Sequence, residues 1–149
     1  MNLDDDTTLV ITRMFDAPRE QVFDAWLTRE EWQAWIGPEG VWCDVSLLEA
    51  HVGGRYRLDM HMPDATVLPV SGSFKAIDRP KLLSFSWGRD GDPSRQSLVT
   101  LSFKDRDGAT ELTLRQAGLG SASERDQFGQ GWNSALNKLQ RHLDQERSR

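Results

Sequence analysis

The C-terminal stretch, from Ser121 to about Gln145, is the feature that most constrains the fold. Its apolar residues are spaced 4, 4, 3 and 4 positions apart, at Phe128, Trp132, Leu136, Leu139 and Leu143. At about 100° per residue these side chains fall on one stripe of a helix. Ser121 followed by Glu124 is typical of a capping box at a helix start. A helix of roughly 25 residues would be about 37 Å long and needs a large apolar surface to pack on.

The chain before this stretch supplies such a surface, because most of it alternates apolar and polar residues with a period of two. A first strand is predicted over 7–15, followed by two short helices over 18–27 and 28–35. Further strands are predicted over 41–50, 55–62, 66–77, 82–87, 97–104 and 110–115. Short turns between consecutive strands favour an antiparallel meander with one apolar face. The predicted class is α+β: a curved antiparallel sheet of about six to seven strands wrapped around a long C-terminal helix, with two short helices after strand 1.

Length and charge limit the classes of function. The 149 residues are most simply one domain, 1–149, in which we expect the acidic segment 1–6 to be disordered. A net charge of −5, with no basic patch, argues against nucleic acid and anionic membranes as partners. The lone Cys43 excludes an internal disulfide. Together with the lack of a signal peptide or a membrane-spanning run, it predicts a cytoplasmic protein.

Short motifs in a characteristic order cover nearly the whole chain. They are Arg13-Met14-Phe15 with Ala17-Pro18, Val22-Phe23 with Ala25-Trp26, Trp35 with Gly37-Pro38-Glu39-Gly40, Gly53-Gly54 before Arg55-Tyr56-Arg57, Gly72-Ser73-Phe74, Pro80 with Leu83-Ser84-Phe85, Thr110 with Leu112 and Leu114, and Gly131-Trp132. In this order the chain resembles the START-like (SRPBCC, helix-grip) superfamily, and within it the bacterial single-domain type of the activator of heat shock protein 90 ATPase homologue family. Two positions depart from the family pattern. Ile36 stands where many members carry a second tryptophan, and Ala65 follows Asp64 where glycine is more usual.

The resemblance implies a cavity between the sheet and the C-terminal helix that binds small apolar or aromatic molecules. Apolar residues of the predicted sheet face and helix stripe are its expected lining: Trp35, Tyr56, Leu58, Met60, Phe74, Phe85, Trp87, Phe103, Phe128, Trp132 and Leu136. For each of them the alternative is a dry, filled core. Tyr56 would supply a polar hydroxyl inside the cavity, and Trp35 with the Gly37-Pro38 loop would lie near one mouth.

Motifs for catalysis or metal binding are missing. His51, His61 and His142 are too scattered for a local metal-ligand motif, and Cys43 has no partner cysteine. Neither a Gly-x-Ser-x-Gly nucleophile elbow nor a glycine-rich phosphate loop is present. The sequence therefore predicts no catalytic residue, no metal and no cofactor, and favours a binding protein over an enzyme.

Three functions remain open. The preferred one is a START-like protein that binds a small apolar ligand, with a stress-related role. The second is an enzyme of the same fold that uses the cavity for acid–base chemistry, for which Asp59, His61 or an inward arginine would supply the titrating group. The third is a co-chaperone that stimulates a chaperone ATPase, which the family name alone implies. An exposed strand edge would also allow a homodimer.

Overall fold

The computed structural model describes residues 6–147, and its elements follow the predicted order. They are β1 (Thr8–Phe15), α1 (Arg19–Leu27), α2 (Arg29–Trp35), β2 (Trp42–Leu48), β3 (Arg55–His61), β4 (Val67–Asp78), β5 (Leu82–Arg89), a 3-10 turn (Pro93–Arg95), β6 (Ser97–Arg106), β7 (Ala109–Ala117) and α3 (Ala122–Arg147). The α+β prediction is confirmed. The segment expected to be disordered falls, for residues 1–5, outside the described residues. Within the described range, none of the helices is long and apolar enough to cross a bilayer.

One antiparallel sheet of seven strands forms the frame of the molecule, in the order β1-β7-β6-β5-β4-β3-β2. Because β1 pairs with β7, the first and last strands are neighbours, and the sheet edges are β1 and β2. Asp107 and Gly108 take φ values of 57° and 90°, which suit a tight β6–β7 hairpin turn. Register shifts at Val45/Leu47 and Phe74/Ala76 interrupt the regular pairing, and such irregularities bend a sheet.

The helix α3 lies across one face of this sheet, with the predicted stripe inward. Trp132, Leu136, Leu139 and Leu143 are buried, whereas Phe128 at the start of the stripe is only partly buried. Its first turn is capped by Ser121, whose Oγ accepts a hydrogen bond from the Glu124 backbone N–H at 3.1 Å. The cap and the stripe together explain why this stretch forms a helix that packs on the sheet.

The two short helices α1 and α2 insert a tryptophan cluster, Trp26, Trp32 and Trp35, into the interior. The Trp26 and Trp35 rings meet edge to face at 4.6 Å between centroids, and Trp32 meets Tyr56 of β3 at 5.1 Å. The Trp35 indole N–H donates to the carbonyl oxygen of Ala25 at 3.1 Å, which ties α2 to α1. On the other side, Trp26 lies 5.9 Å from the ring of Trp132 in α3. The cluster thus joins both short helices to the sheet and to α3.

Gly72 allows a close approach between β4, β5 and the ring of Tyr56. A Cβ at this position would lie 2.0 Å from the Ser86 carbonyl oxygen and 2.7 Å from Tyr56 Cε1. The same carbonyl accepts a hydrogen bond from the Tyr56 hydroxyl at 2.5 Å. Only glycine leaves room for both contacts.

We therefore expect Gly72→Ala to lower the free energy of unfolding by about 1–3 kcal/mol or more, because the β4–β5 pair or the tyrosine must move. Urea denaturation measures this change. The matched control is Gly131→Ala in α3, where no atom lies within 4 Å of the added Cβ. That substitution should raise stability by up to about 1 kcal/mol through helix propensity. A Gly72→Ala protein as stable as the wild type would contradict the close approach.

Candidate functional site

A cavity of about 670 Å³ lies between the sheet and α3. Its apolar lining comes from the end of α2, from β3 to β5 and from the first half of α3: Ile36, Met60, Met62, Leu68, Val70, Trp87, Phe128, Trp132 and Ala135. A volume of this size falls within the range of about 300–1,000 Å³ that ligand pockets occupy. The interior is therefore hollow at this place rather than filled by side chains.

Space is left in the cavity where α3 presents a residue that has no side chain. On α3, Gly131 is a lining residue, and no atom lies within 4 Å of where its Cβ would be. Across the cavity, Met60 of β3 and Leu68 of β4 are cross-strand partners and both line the wall. Met60 and Met62 are flexible, polarizable side chains, which adapt well to ligands of varied shape. The site combines empty space with an adaptable wall.

Buried polar groups next to Trp132 are satisfied by one another. The Trp132 indole N–H donates to Gln116 Oε1 at 2.8 Å, and Gln116 Nε2 donates to Ser97 Oγ at 2.8 Å. The Ser97 hydroxyl donates in turn to the carbonyl oxygen of Trp87 at 3.0 Å. All four residues are buried. This chain of bonds ties the Trp132 indole to the backbone of β5, and the Trp87 and Trp132 rings, 5.3 Å apart between centroids, lie next to each other in the cavity lining.

One end of the cavity is closed by the loop between α2 and β2, which α3 holds in place. Gly37 and Pro38 line the cavity, and Lys138 Nζ donates to the carbonyl oxygens of Gly37 and Val41, at 3.1 Å each. The Glu39 backbone N–H donates to an α3 hydroxyl, Ser134 Oγ, at 2.7 Å. Burial lowers the pKa of the Lys138 ammonium. The anchored loop gives this wall a defined shape.

Cys43 lies beneath the same loop. Its Sγ would be 3.0 Å from a Cβ at Gly37, and the side chain is buried. Burial raises the pKa of the thiol to about 11, so it is protonated at neutral pH. A buried, protonated thiol is a poor nucleophile, so Cys43 is a packing residue beneath the loop.

The other end of the cavity has a polar rim. Arg89, Asp92, Arg95 and Glu124 belong to its lining and are exposed or half-buried. Arg95 Nη2 lies 3.9 Å from Glu124 Oε2, a distance typical of a loose, solvated ion pair. The charges at this rim are of both signs and balance. An apolar interior and a polar rim are the usual arrangement of a small-molecule site.

The structure separates the predicted lining residues into two groups. Met60, Trp87, Phe128 and Trp132 line the cavity. The others lie outside its lining and are 0–2% exposed: Trp35, Tyr56, Leu58, Phe74, Phe85, Phe103 and Leu136. The reason is that α1 and α2 cover their part of the sheet, since Trp26 lies 6.3 Å from Phe85 and Phe23 lies 5.1 Å from Phe103.

Tyr56 illustrates the difference. Its hydroxyl donates a hydrogen bond to the Ser86 carbonyl oxygen, and the side chain is fully buried among aromatic rings. Burial raises the pKa of the phenol well above its usual value. Tyr56 thus fixes β3 against β5 and offers no polar group to the cavity. Further lining residues that the prediction did not name lie on the same strand faces or helix face as those it did: Ile36, Met62, Leu68, Val70, Gly131 and Ala135.

The hydrogen bond between Gln116 and Trp132 can be tested by a double-mutant cycle. Gln116→Met keeps the side-chain length but leaves the buried indole N–H unsatisfied, which should cost about 1–3 kcal/mol of unfolding free energy. In a Trp132→Phe background, which has no such N–H, the same substitution should cost clearly less. Urea denaturation of the four proteins gives the coupling energy. Equal costs in the two backgrounds would show that the bond contributes nothing.

Solved bacterial structures are similar to this chain over nearly its whole length. The structure superimposes on a crystal structure of a Chromobacterium violaceum protein with a TM-score of 0.85 and 22% identity, covering 92% of this chain and 96% of that one. For a solution structure of a protein from Arthrobacter aurescens the TM-score is 0.84 and the sequence identity 21%, and the match covers 95% of this chain and 88% of that one. For the crystal structure of an AHSA1 protein from Silicibacter pomeroyi the TM-score is 0.81 and the sequence identity 27%, and the match covers 93% of this chain and 99% of that one. No curated protein matches the chain.

The family model described as Activator of Hsp90 ATPase homolog 1-like protein matches residues 16–144, which include strands β2 to β7, both short helices and nearly all of α3. This match agrees with the motifs in the sequence and with the helix-grip architecture of the solved structures. The chain belongs to the Activator of Hsp90 ATPase homolog 1-like family.

Proposed function

We propose that this protein binds a small apolar or aromatic molecule in the cavity between the sheet and α3. The observation that carries the proposal is the cavity of about 670 Å³ with its apolar lining. A core filled by side chains would leave no room for a ligand, whereas this core contains a cavity. Filling such a space with an apolar molecule removes apolar surface from water on both partners, at about 25 cal/mol per Å².

The composition of the wall favours a ligand that contains a ring. Trp87 and Trp132 lie 5.3 Å apart between ring centroids, and Phe128 stands one helical turn before Trp132 on the same face of α3. Aromatic rings stack on planar ligands through offset and edge-to-face contacts. The neighbouring polar groups are bonded within the protein, so shape and apolar contact would select the ligand, with polar substituents directed to the charged rim.

The enzyme alternative receives no support from the cavity lining. Asp59 and His61, the candidates for acid–base chemistry, are not lining residues. Asp59 lies 3.5 Å from Arg57, and the His61 ring stacks on Trp42 at 3.6 Å, on the outer side of β2 and β3. Among the described residues, the titratable groups of the lining are those of the rim, where water competes for them.

The co-chaperone alternative rests on the family description alone. No contact among the described residues bears on a chaperone partner, and the stress-related role likewise stays a prediction. The cavity supports ligand binding as the proposed function.

Filling the cavity tests the proposal. Gly131→Leu places a branched side chain in space that is empty in the structure, so the protein should fold but lose ligand. The matched control is Gln130→Leu, which adds the same side chain at an exposed position of the same helix. With N-phenyl-1-naphthylamine as a neutral fluorescent probe, the wild type and the control should bind one molecule per chain. Gly131→Leu should bind at least about tenfold more weakly, a loss of 1.4 kcal/mol or more.

Native mass spectrometry of the purified wild type should in addition reveal any apolar molecule that copurifies, absent from Gly131→Leu. If the probe bound Gly131→Leu as tightly as the wild type, with circular dichroism showing both folded, the cavity would not be the binding site. If the wild type bound no apolar probe, the proposed function would be wrong.

A further inference from the structure

Beyond the cavity, we propose that Glu31, His142 and Glu146 form a binding site for a divalent transition-metal ion such as zinc. They lie where the last turns of α3 pack on α2, and none of them lines the cavity. His142 Nε2 lies 3.0 Å from Glu31 Oε1 and 3.2 Å from Glu146 Oε1. One donor atom from each side chain falls within 4.8 Å of the other two. Binding of an ion at these three residues would not depend on whether the cavity holds a ligand.

The spacing of the donor atoms suits a metal ion. Zinc binds imidazole nitrogen and carboxylate oxygen at about 2.0–2.2 Å, which places neighbouring ligand atoms roughly 3–3.5 Å apart around the ion. The two distances from His142 Nε2 fall in this range. His142 and Glu146 are four residues apart on α3 and so project from one face of the helix. Glu31 comes from α2 and approaches from the opposite side.

Two carboxylates converge on one ring nitrogen of His142. The imidazole Nε2 carries at most one hydrogen, yet two carboxylate oxygens lie within hydrogen-bond distance of it. The carboxylates of Glu31 and Glu146 also repel each other. A doubly charged ion would serve all three ligands and remove the repulsion between the carboxylates.

The surroundings resemble a partly shielded coordination site. The side chains of Glu31, His142 and Glu146 are 20%, 16% and 31% exposed, so the groups are shielded but an ion can reach them. Gln21 Nε2 lies 3.4 Å from the second oxygen of Glu146 and orients that carboxylate, as outer hydrogen bonds do in metal sites. One nitrogen and two oxygens form a donor set that suits zinc, cobalt and nickel better than magnesium or calcium. Water would complete the coordination, and the ion would fasten α2 to the end of α3.

The test uses the full chain after treatment with a chelator and its removal. Isothermal titration with zinc chloride at pH 7.5 should show one ion per chain, and zinc should raise the midpoint of thermal unfolding. Cobalt should bind to the same site and give visible absorption bands characteristic of nitrogen and oxygen ligation. Calcium at the same concentration should produce neither effect.

Matched variants assign the site. Glu31→Gln, His142→Asn and Glu146→Gln should each weaken zinc binding by at least about tenfold, since even outer-shell changes cost that much. Glu30→Gln, on the same helix, and His51→Asn are the controls and should leave the affinity unchanged. The two glutamine variants retain the size of the side chain, so they keep the test valid if His142→Asn fails to fold. No saturable zinc binding by the wild type, or binding that all three variants retain, would overturn the proposal.

Discussion

The packing of α3 across the sheet is the contact on which the rest of the structure depends. A seven-stranded sheet with one apolar face cannot remain exposed to water, and the stripe ending in Leu136, Leu139 and Leu143 covers part of that face. The loop between α2 and β2 is held by side chains of the same helix, through Ser134 and Lys138. The cavity wall, the closing loop and the proposed metal site are therefore all built on α3.

The helix α3 does not cover the whole apolar face of the sheet. The two short helices cover only one part of the remaining surface. The tryptophan cluster of Trp26, Trp32 and Trp35 fills the interior over Phe85 and Tyr56. Farther along, over Met60 and Leu68, the described residues leave the cavity open, and α3 presents Gly131 there. The filled half forms the packed core, and the hollow half contains the cavity in which we propose that a ligand binds. This division explains how a small domain can keep a cavity and still have a well-packed core.

The sequence was informative about the elements and less so about the interior. Alternation and capping signals predicted each strand and helix to within a few residues, because those patterns report directly on which face is buried. The same patterns did not distinguish a residue that lines a cavity from one that lies in a packed core. Leu58 and Met60 alternate identically on β3, yet Leu58 is fully buried in the core and Met60 lines the cavity. What separates them is which neighbouring element lies above each one, which is a long-range property.

The sequence by itself determined the α+β class, the order of the elements, the inward stripe of α3 and, through its motifs, the family, because these depend on local periodicity and short spacings. Only the tertiary structure decided where the interior is hollow and which distant groups meet. The sequence pattern could not predict the partner of the Tyr56 hydroxyl, which in the folded chain donates a hydrogen bond to the Ser86 carbonyl oxygen. His142 appears isolated in the sequence, yet folding brings Glu31, 111 positions earlier, to 3.0 Å from its ring. The physical reason is that cavities and clusters are set by helix–sheet and helix–helix packing, which no local pattern encodes.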